Sequence, residues 1–460
     1  MFSLERTFGW SNASHAESYV SRAGSPEDVD RILKEASHRG LSVTLRGAGY
    51  SYGDEILNSG GAILDLSGMD RILDWSPENG QMRVEPGVRF EQALNCCLKD
   101  NWVLPVVPGT RYPSIGGALS NNVHGKNGWS DGNFGACVVE FILLTARGDE
   151  HRCSREKNSE LFHAVIGGMG MFGVVLEIDL QLKRIPSPFL KVRKWTVSSL
   201  ERMLDDFGTL RGTADYHIGW VDCFTKGANF GRGTIHAASF VEAPRSAKSG
   251  REFSYTSPYF FGFFPRTWIW PVIKPFFGNP MMKMVNSAKY HLDRMASGGE
   301  AGIQTFFEFT FLLDTIPGWK SLFEPHGYLE LEPLIPFANC VEAFRELILL
   351  TQAYGHPSHL TAIKSHRKDE FMLGFSLDGC SIGIDIPVDP GRRKELIDLF
   401  GRMNDVVSWA GGKTYLAKDE MLSADHFRLM YPNWRAFDDL KKKYDSDFLF
   451  CSDMYRRLFA

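Results

Sequence analysis

Two stretches of this chain combine glycine with hydroxyl, amide and charged side chains densely enough to suggest chemistry. The first, 46–54, reads RGAGYSYGD and follows a short apolar run. Glycine lets backbone N–H groups approach an anion such as a pyrophosphate. A Rossmann fingerprint would place its third glycine at the opening of a helix. Here that glycine is displaced and the next element is a strand beyond 58–61 (NSGG), so a Rossmann fold is rejected. Bare amides, without a helix dipole, would hold the anion. On this loop alone a glycine-rich turn explains the residues equally well.

The second stretch, 108–135, reads PGTRYPSIGGALSNNVHGKNGWSDGNFG and interleaves its glycines with Thr110, Ser114, Asn121, Asn122, His124, Lys126 and Asn127. Turns between apolar segments rarely need so many small and polar residues, whereas backbone lying against a large flat polar ligand does. A third cluster, 167–173 (GGMGMFG), can bring another loop to the same ligand. Three separated loops around one extended molecule favour a dinucleotide with a planar ring.

The elements that must position these loops follow from local patterns. Ser25 can cap a helix that has Pro26 at its first position and Glu27 and Asp28 facing its dipole. Val29, Ile32, Leu33 and Ala36 recur at helical spacing, and Gly40 ends that helix. Strands are expected at 41–45, 62–66, 81–84, 141–146 and 174–182, with helices at 90–99 and 161–166. Pro186 and Pro188 suggest a boundary. Beyond it, strands are expected at 217–223, 306–312, 328–334 and 381–386, and helices at 339–354 and 391–409. Residues 253–277 carry 11 aromatics broken by prolines at 258, 265, 271 and 275.

The whole-chain arithmetic is consistent with this. At 460 residues the chain exceeds one ordinary core and suggests two domains. With 51 basic and 55 acidic residues the net charge is −4, so no general nucleic-acid binder is expected. Eight cysteines without a C-x-x-C pair read as reduced thiols, not as a disulfide framework or a metal site. The first residues lack the pattern of a signal peptide, and no run is apolar enough to span a membrane.

In the order RGAGYSYGD, VEPGV (84–88), PGTRYPSIGGALSNNVHGKN and GGMGMFGVV, the chain resembles the FAD-binding domain of the vanillyl-alcohol oxidase/p-cresol methylhydroxylase (PCMH) superfamily. Within it, GGKTYLAKDEMLSADHFRLMYPNW and the ending FCSDMYRRL resemble the decaprenylphosphoryl-β-D-ribose oxidase family. The resemblance is strong at both ends and loose in the middle. It implies an α+β, two-domain fold: an FAD-binding domain over 1–188, an antiparallel-sheet substrate domain over 189–409, and a segment, 410–460, returning to the FAD domain.

Site residues carry over by motif. For the cofactor these are Arg46, Gly47, Ala48, Gly49, Tyr50, Ser51, Tyr52, Gly53 and Asp54 on the first loop. On the second they are Gly109, Thr110, Ser114, Ile115, Gly116, Gly117, Asn121, Asn122, Val123 and His124, joined by Val175 and Tyr415. Several superfamily members attach FAD through a histidine of the first loop. Here Tyr50 and Ser51 stand in that neighbourhood, so noncovalent FAD is expected. Lys418, His124 and Tyr415 are the catalytic candidates. Tyr52, Lys126, Trp220, Glu330, Glu332, Lys364, Ser381, Gly383 and Lys418 are the substrate candidates. Two departures stand out. Glu330 and Glu332 alternate on a strand and so share a face, where the family has glutamines. Gly383 replaces a family cysteine, so an inhibitor that needs that thiol should not label this chain.

The resemblance implies an FAD-dependent oxidoreductase acting on CH–OH groups. It would oxidise the 2′-hydroxyl of a polyprenylphosphoryl-ribose to a keto sugar, with a short-chain-dehydrogenase-type reductase as partner and arabinose for the cell envelope as the outcome. A location in the cytoplasm at the inner membrane face is expected, with 253–277 as an interfacial loop or lipid-tail cover. Two alternatives stay open: an aldonolactone or alditol oxidase, and a catalytically silent flavin-binding scaffold.

Overall fold

The computed structural model describes residues 2–244, 259–260, 264–265, 268, 271, 273–296, 301–315 and 318–459. Three larger sheets organise them. The first sheet is assembled from the N-terminal 65 residues in the order Ser3–Phe8, His15–Arg22, Ala62–Asp65, Val43–Arg46. Its first pair is antiparallel and the other two are parallel. The expected helix forms over Pro26–His38. Ser25 accepts from the Asp28 amide, and Val29, Ile32, Leu33 and Ala36 are buried against this sheet. The strand expected at 41–45 starts later, at Val43, and ends on Arg46, directly before the first glycine loop.

The second sheet is antiparallel, in the order Ile72–Ser76, Gln81–Val84, Val174–Gln181, Val138–Leu144, Glu150–Ser154. The buried helix Phe90–Cys97 and the short helix Ile115–Ser120 belong to the same core. Glycine loops two and three leave from this unit.

The third sheet is antiparallel and, among the described residues, nine-stranded. Its spine is Phe189–Val197, Gly233–Val241, Tyr216–Val221, Thr361–His366 and Gly379–Pro387. Beyond Gly379–Pro387 lie Tyr328–Leu331 and Pro333–Pro336, then Lys413–Thr414. Leu331 faces Ile384 and Leu334 faces Ser381, so the register runs on unbroken past Glu332 and Pro333. Proline, which has no N–H, interrupts the ladder there. The helices Cys340–Ala353 and Arg393–Trp409 contribute to the same core as this sheet. After Thr414 the chain returns to the first sheet, where Phe450 bridges Val43 and the Cys451 amide donates to the Val43 carbonyl at 2.9 Å.

One expected strand is a helix. Residues Phe306–Thr310 are helical and the strand is Gly302–Thr305 before them. Thr305 and Glu308 form a capping box, which starts the helix there. The aromatic stretch 253–277, expected to lie at a lipid interface, falls largely outside the described residues. Among the described residues no helix is long and apolar enough to cross a membrane.

Candidate functional site

A cavity of about 440 Å³ opens where the three glycine loops meet. Gly47–Tyr52 line it from the first loop, Gly109 to His124 from the second, and Met169–Gly173 with Val175 from the third. Lys364, Tyr415, Ala417 and Lys418 join them from the third sheet and the segment that follows it.

Packing explains the glycines. A Cβ on Gly47 would lie 2.1 Å from Ser114 Oγ, so the first two loops can touch only if residue 47 has no side chain. That Oγ accepts the Ala48 amide at 3.2 Å. Gly49 adopts φ +74°, a left-handed conformation that glycine takes without strain. Among the described residues the amides of Gly49, Tyr50 and Ser51 donate to no protein acceptor. They are free donors on the wall of a cavity, the arrangement that a pyrophosphate satisfies. A long cavity with such a cradle fits FAD.

A cluster of ionisable groups lies at the Lys418 end. The Lys418 Nζ donates to Glu330 Oε1 at 2.5 Å and pairs with Glu332 Oε2 at 2.8 Å. Lys364 Nζ is 3.2 Å and His124 Nε2 is 3.4 Å from Glu332 Oε1. Burial works against the Lys418 charge, but the two glutamates outweigh it and hold its pKa well above the usual lysine range. Burial likewise opposes ionisation of Glu332, yet Lys364, Lys418 and His124 hold it well below the carboxylate range. Asp385 is the cross-strand partner of Glu330. Burial and the Glu330 charge push its carboxyl well above its usual range. Burial lowers the pKa of His124. Tyr415 donates its hydroxyl to the Asn121 carbonyl at 3.0 Å, and burial raises its phenol far above the usual value.

Most expected residues fall on this wall: Gly47 through Tyr52, Gly109, Thr110, Ser114, Gly116, Gly117, Asn121, Val123, His124, Val175, Lys364, Tyr415 and Lys418. Others stand off it, each for a local reason. Arg46 pairs with Asp65 at 2.9 Å. Gly53 is pressed against Asp419 and Glu420, and Asp54 binds Arg457. Ile115 is core. Asn122 donates to Asp369 at 3.0 Å and accepts the Gly135 amide at 2.9 Å. Lys126, expected to meet substrate, donates instead to the carbonyls of Phe309 and Thr310 at 2.6 and 2.8 Å. Burial and Lys364 lower its pKa to about 7. Trp220 lies beneath Lys289, whose Nζ is 4.5 Å from the ring centroid. Glu330 and Glu332 stand behind Lys418. Ser381 links Glu332 (3.3 Å) to His366 (2.8 Å), and a Cβ on Gly383 would lie 3.1 Å from Glu330 Oε1.

Sequence reasoning missed Trp10, Glu55, Tyr112 and Lys320, all on the wall; Asp314 and Trp319, also on it, lie in the stretch 309–319 (FTFLLDTIPGW), which resembles a substrate-domain element of the family. Trp10 and Lys320 lie 310 positions apart and meet only through the fold: Lys320 Nζ donates to the Trp10 carbonyl at 2.5 Å. Asp385 joins the cluster only through its cross-strand register with Glu330. None of the cysteines lies on the wall.

Two family models match this chain: FAD binding domain over residues 18–154, and D-arabinono-1,4-lactone oxidase over 326–458. The chain is 28% identical to decaprenylphosphoryl-β-D-ribose oxidase of Mycolicibacterium smegmatis, over 99% of this chain and 97% of that protein. It is 22% identical to L-gulonolactone oxidase of Mus musculus over 94% of this chain and 93% of that one. Cytokinin dehydrogenase 2 of Arabidopsis thaliana is 30% identical over 37% of this chain and 34% of its own length. With the cradle and the ion cluster, these matches define an FAD-dependent oxidoreductase. Both matched models fit the vanillyl-alcohol oxidase/p-cresol methylhydroxylase superfamily, and the mixed α/β fold with its antiparallel sheets is consistent with that superfamily's two-domain architecture.

Proposed function

We propose that this protein oxidises the 2′-hydroxyl of a polyprenylphosphoryl-ribose to the keto sugar, with FAD bound noncovalently. The observation that carries the reading is the Lys418–Glu330–Glu332 cluster at one end of a flavin-sized cavity. Full-length similarity to decaprenylphosphoryl-β-D-ribose oxidase supports the choice of substrate. When bound, the flavin supplies the hydride acceptor, and the protein positions and polarises. Lys418 stays charged and donates a hydrogen bond to the substrate hydroxyl. As the hydride leaves carbon, the hydroxyl proton passes to the Lys418 ammonium, which gives up one of its own to the Glu330 carboxylate behind it. Tyr415 fixes the second loop through the Asn121 carbonyl. A short-chain-dehydrogenase-type reductase would then return the keto sugar as its epimer, the arabinose form.

Contact with the inner membrane face fits the surface. On the helix Asn279–Ala296, Met284, Leu292 and Met295 are exposed apolar side chains that a lipid surface could take up.

The test is anaerobic mixing of the yellow protein with a short-chain polyprenylphosphoryl-ribose while flavin absorbance is followed. Bleaching is expected. Lys418→Ala should keep FAD and lose at least ~100-fold in reduction rate, in the range for a lost electrostatic or acid–base group. Unchanged reduction would remove Lys418 from the mechanism. A second reading, an aldonolactone oxidase, is favoured by the match over 326–458 and by the carboxylates beside Lys418. Bleaching by a free lactone alone would select it.

A further inference from the structure

The ion cluster poses a problem that the proposed substrate must solve. Three lysines lie on the cavity wall: Lys320, Lys364 and Lys418. Lys418 is bracketed by Glu330 and Glu332, and Lys364 pairs with Glu332. A phosphate brought to either would meet those carboxylates at the same time. Lys126, off the wall, is committed to two carbonyls.

Lys320 differs. Among the described residues no carboxylate lies within ion-pair distance of its Nζ. That atom donates one hydrogen bond to the Trp10 carbonyl at 2.5 Å and sits 4.2 Å from the Trp10 ring centroid, which leaves two N–H donors. Glu324, whose charge acts on it, is itself 3.6 Å from Lys274. Half-buried and facing aromatic rings, the Lys320 ammonium gains more from an anionic partner than it would in water.

We infer that Lys320 is the anion subsite of this cavity and takes the phosphate of the sugar-phosphate substrate, while the hydroxyl to be oxidised lies at Lys418. The inference rests on the phosphorylated-sugar reading above. One ring pair links the two cations. Trp10 and Tyr52 lie 5.0 Å apart by centroid, Lys320 contacts the Trp10 ring, and Lys418 Nζ is 5.0 Å from the Tyr52 centroid. Trp319, 5.6 Å from Trp10, extends the aromatic surface on which the first isoprene units would lie. The phosphate is thereby kept away from Glu330, Glu332 and Asp385.

The Trp10 amide also bonds Ser51 of the first glycine loop at 2.9 Å, so the pyrophosphate of FAD is the competing anion for this lysine. Anaerobic stopped-flow reduction of the holoenzyme by a short-chain polyprenylphosphoryl-ribose separates the two. In Lys320→Ala the apparent Kd for the sugar phosphate should rise about 10- to 100-fold, the worth of one charge-assisted hydrogen bond. The limiting reduction rate should stay within about twofold, Lys320→Arg should recover most of the affinity, and FAD should remain bound through gel filtration. An unchanged Kd in a variant that is still reduced overturns the subsite alone. Loss of FAD assigns Lys320 to the cofactor and overturns it as well. A wild-type enzyme that the sugar phosphate does not reduce overturns the functional reading, and the subsite with it.

Discussion

Glu55 lines the cavity beside the first glycine loop, yet among the described residues its only cationic or amide partner is Asn121, whose Nδ2 donates to Glu55 Oε1 at 2.9 Å. Burial raises its carboxyl to about 7 against the help of Asn121 and Ser51. In the unfolded chain the same group titrates near 4.5. Between these values the folded state holds a proton that the unfolded state has released. The group therefore contributes its full stability below pH 4.5, and that contribution is lost as pH rises through 7. Glu55→Gln is neutral throughout. It should match the wild type near pH 4.5 and exceed it at pH 8 by on the order of 1–3 kcal/mol. Urea denaturation at saturating FAD measures this; a wild type that is equally or more stable at pH 8 refutes the protonated Glu55. Glu420 also has its carboxyl raised to about 7, by burial against Ser11 and Ser14, so wild-type stability alone would mix two titrations. The glutamine variant separates them.

At the scale of elements, the C-terminal helix Asp453–Phe459 locks the first glycine loop in place. Arg457 binds both oxygens of Asp54 at 2.8 Å, directly after that loop, and Asp419 at 3.0 Å. Burial works against its charge, but Asp419 and Asp54 outweigh that and raise its pKa further. Arg457→Ala leaves the buried Asp419 and the partly buried Asp54 without their cation, which costs about 3–5 kcal/mol. The measured urea stability should fall by that amount and the FAD Kd should rise; Arg457→Lys should restore only part, because the two-pronged contact needs a guanidinium. A variant of wild-type stability and FAD affinity would show the tail to be dispensable. This element was legible as SDM-x-RRL only through its resemblance to other chains, because the Asp54–Arg457 contact spans 403 positions. The helix Pro26–His38 and strand Gln81–Val84, by contrast, were readable from caps and alternation alone. Strands such as Phe189–Val197 and Thr361–His366 went unread, since their partners, not their own pattern, define them. The site shows the same division. Glycine loops announce themselves by composition. Trp10, Lys320 and the Glu330–Asp385 pair join the site only through tertiary contact and register.

At the scale of the whole molecule, the cavity draws its wall from every third of the chain: the first two glycine loops, the Met169–Gly173 loop, Trp319–Lys320, Lys364, and Tyr415 to Lys418. A ligand seated there touches the units built on all three larger sheets, and its full set of contacts requires all of them to be folded. Binding to the folded state alone stabilises it by RT ln(1 + [L]/Kd), so each tenfold rise in free FAD above its Kd adds about 1.4 kcal/mol. Two consequences follow from the shared wall. Thermal unfolding followed by intrinsic fluorescence and by release of flavin fluorescence should coincide in the holoprotein, because no unit keeps a complete cradle after another has opened. The midpoint should also climb with the logarithm of added FAD and fall when the cofactor is stripped. Flavin release well below the fluorescence transition, with a midpoint insensitive to FAD, would mean that the cradle belongs to one unit alone and that the third sheet contributes chemistry without contributing affinity.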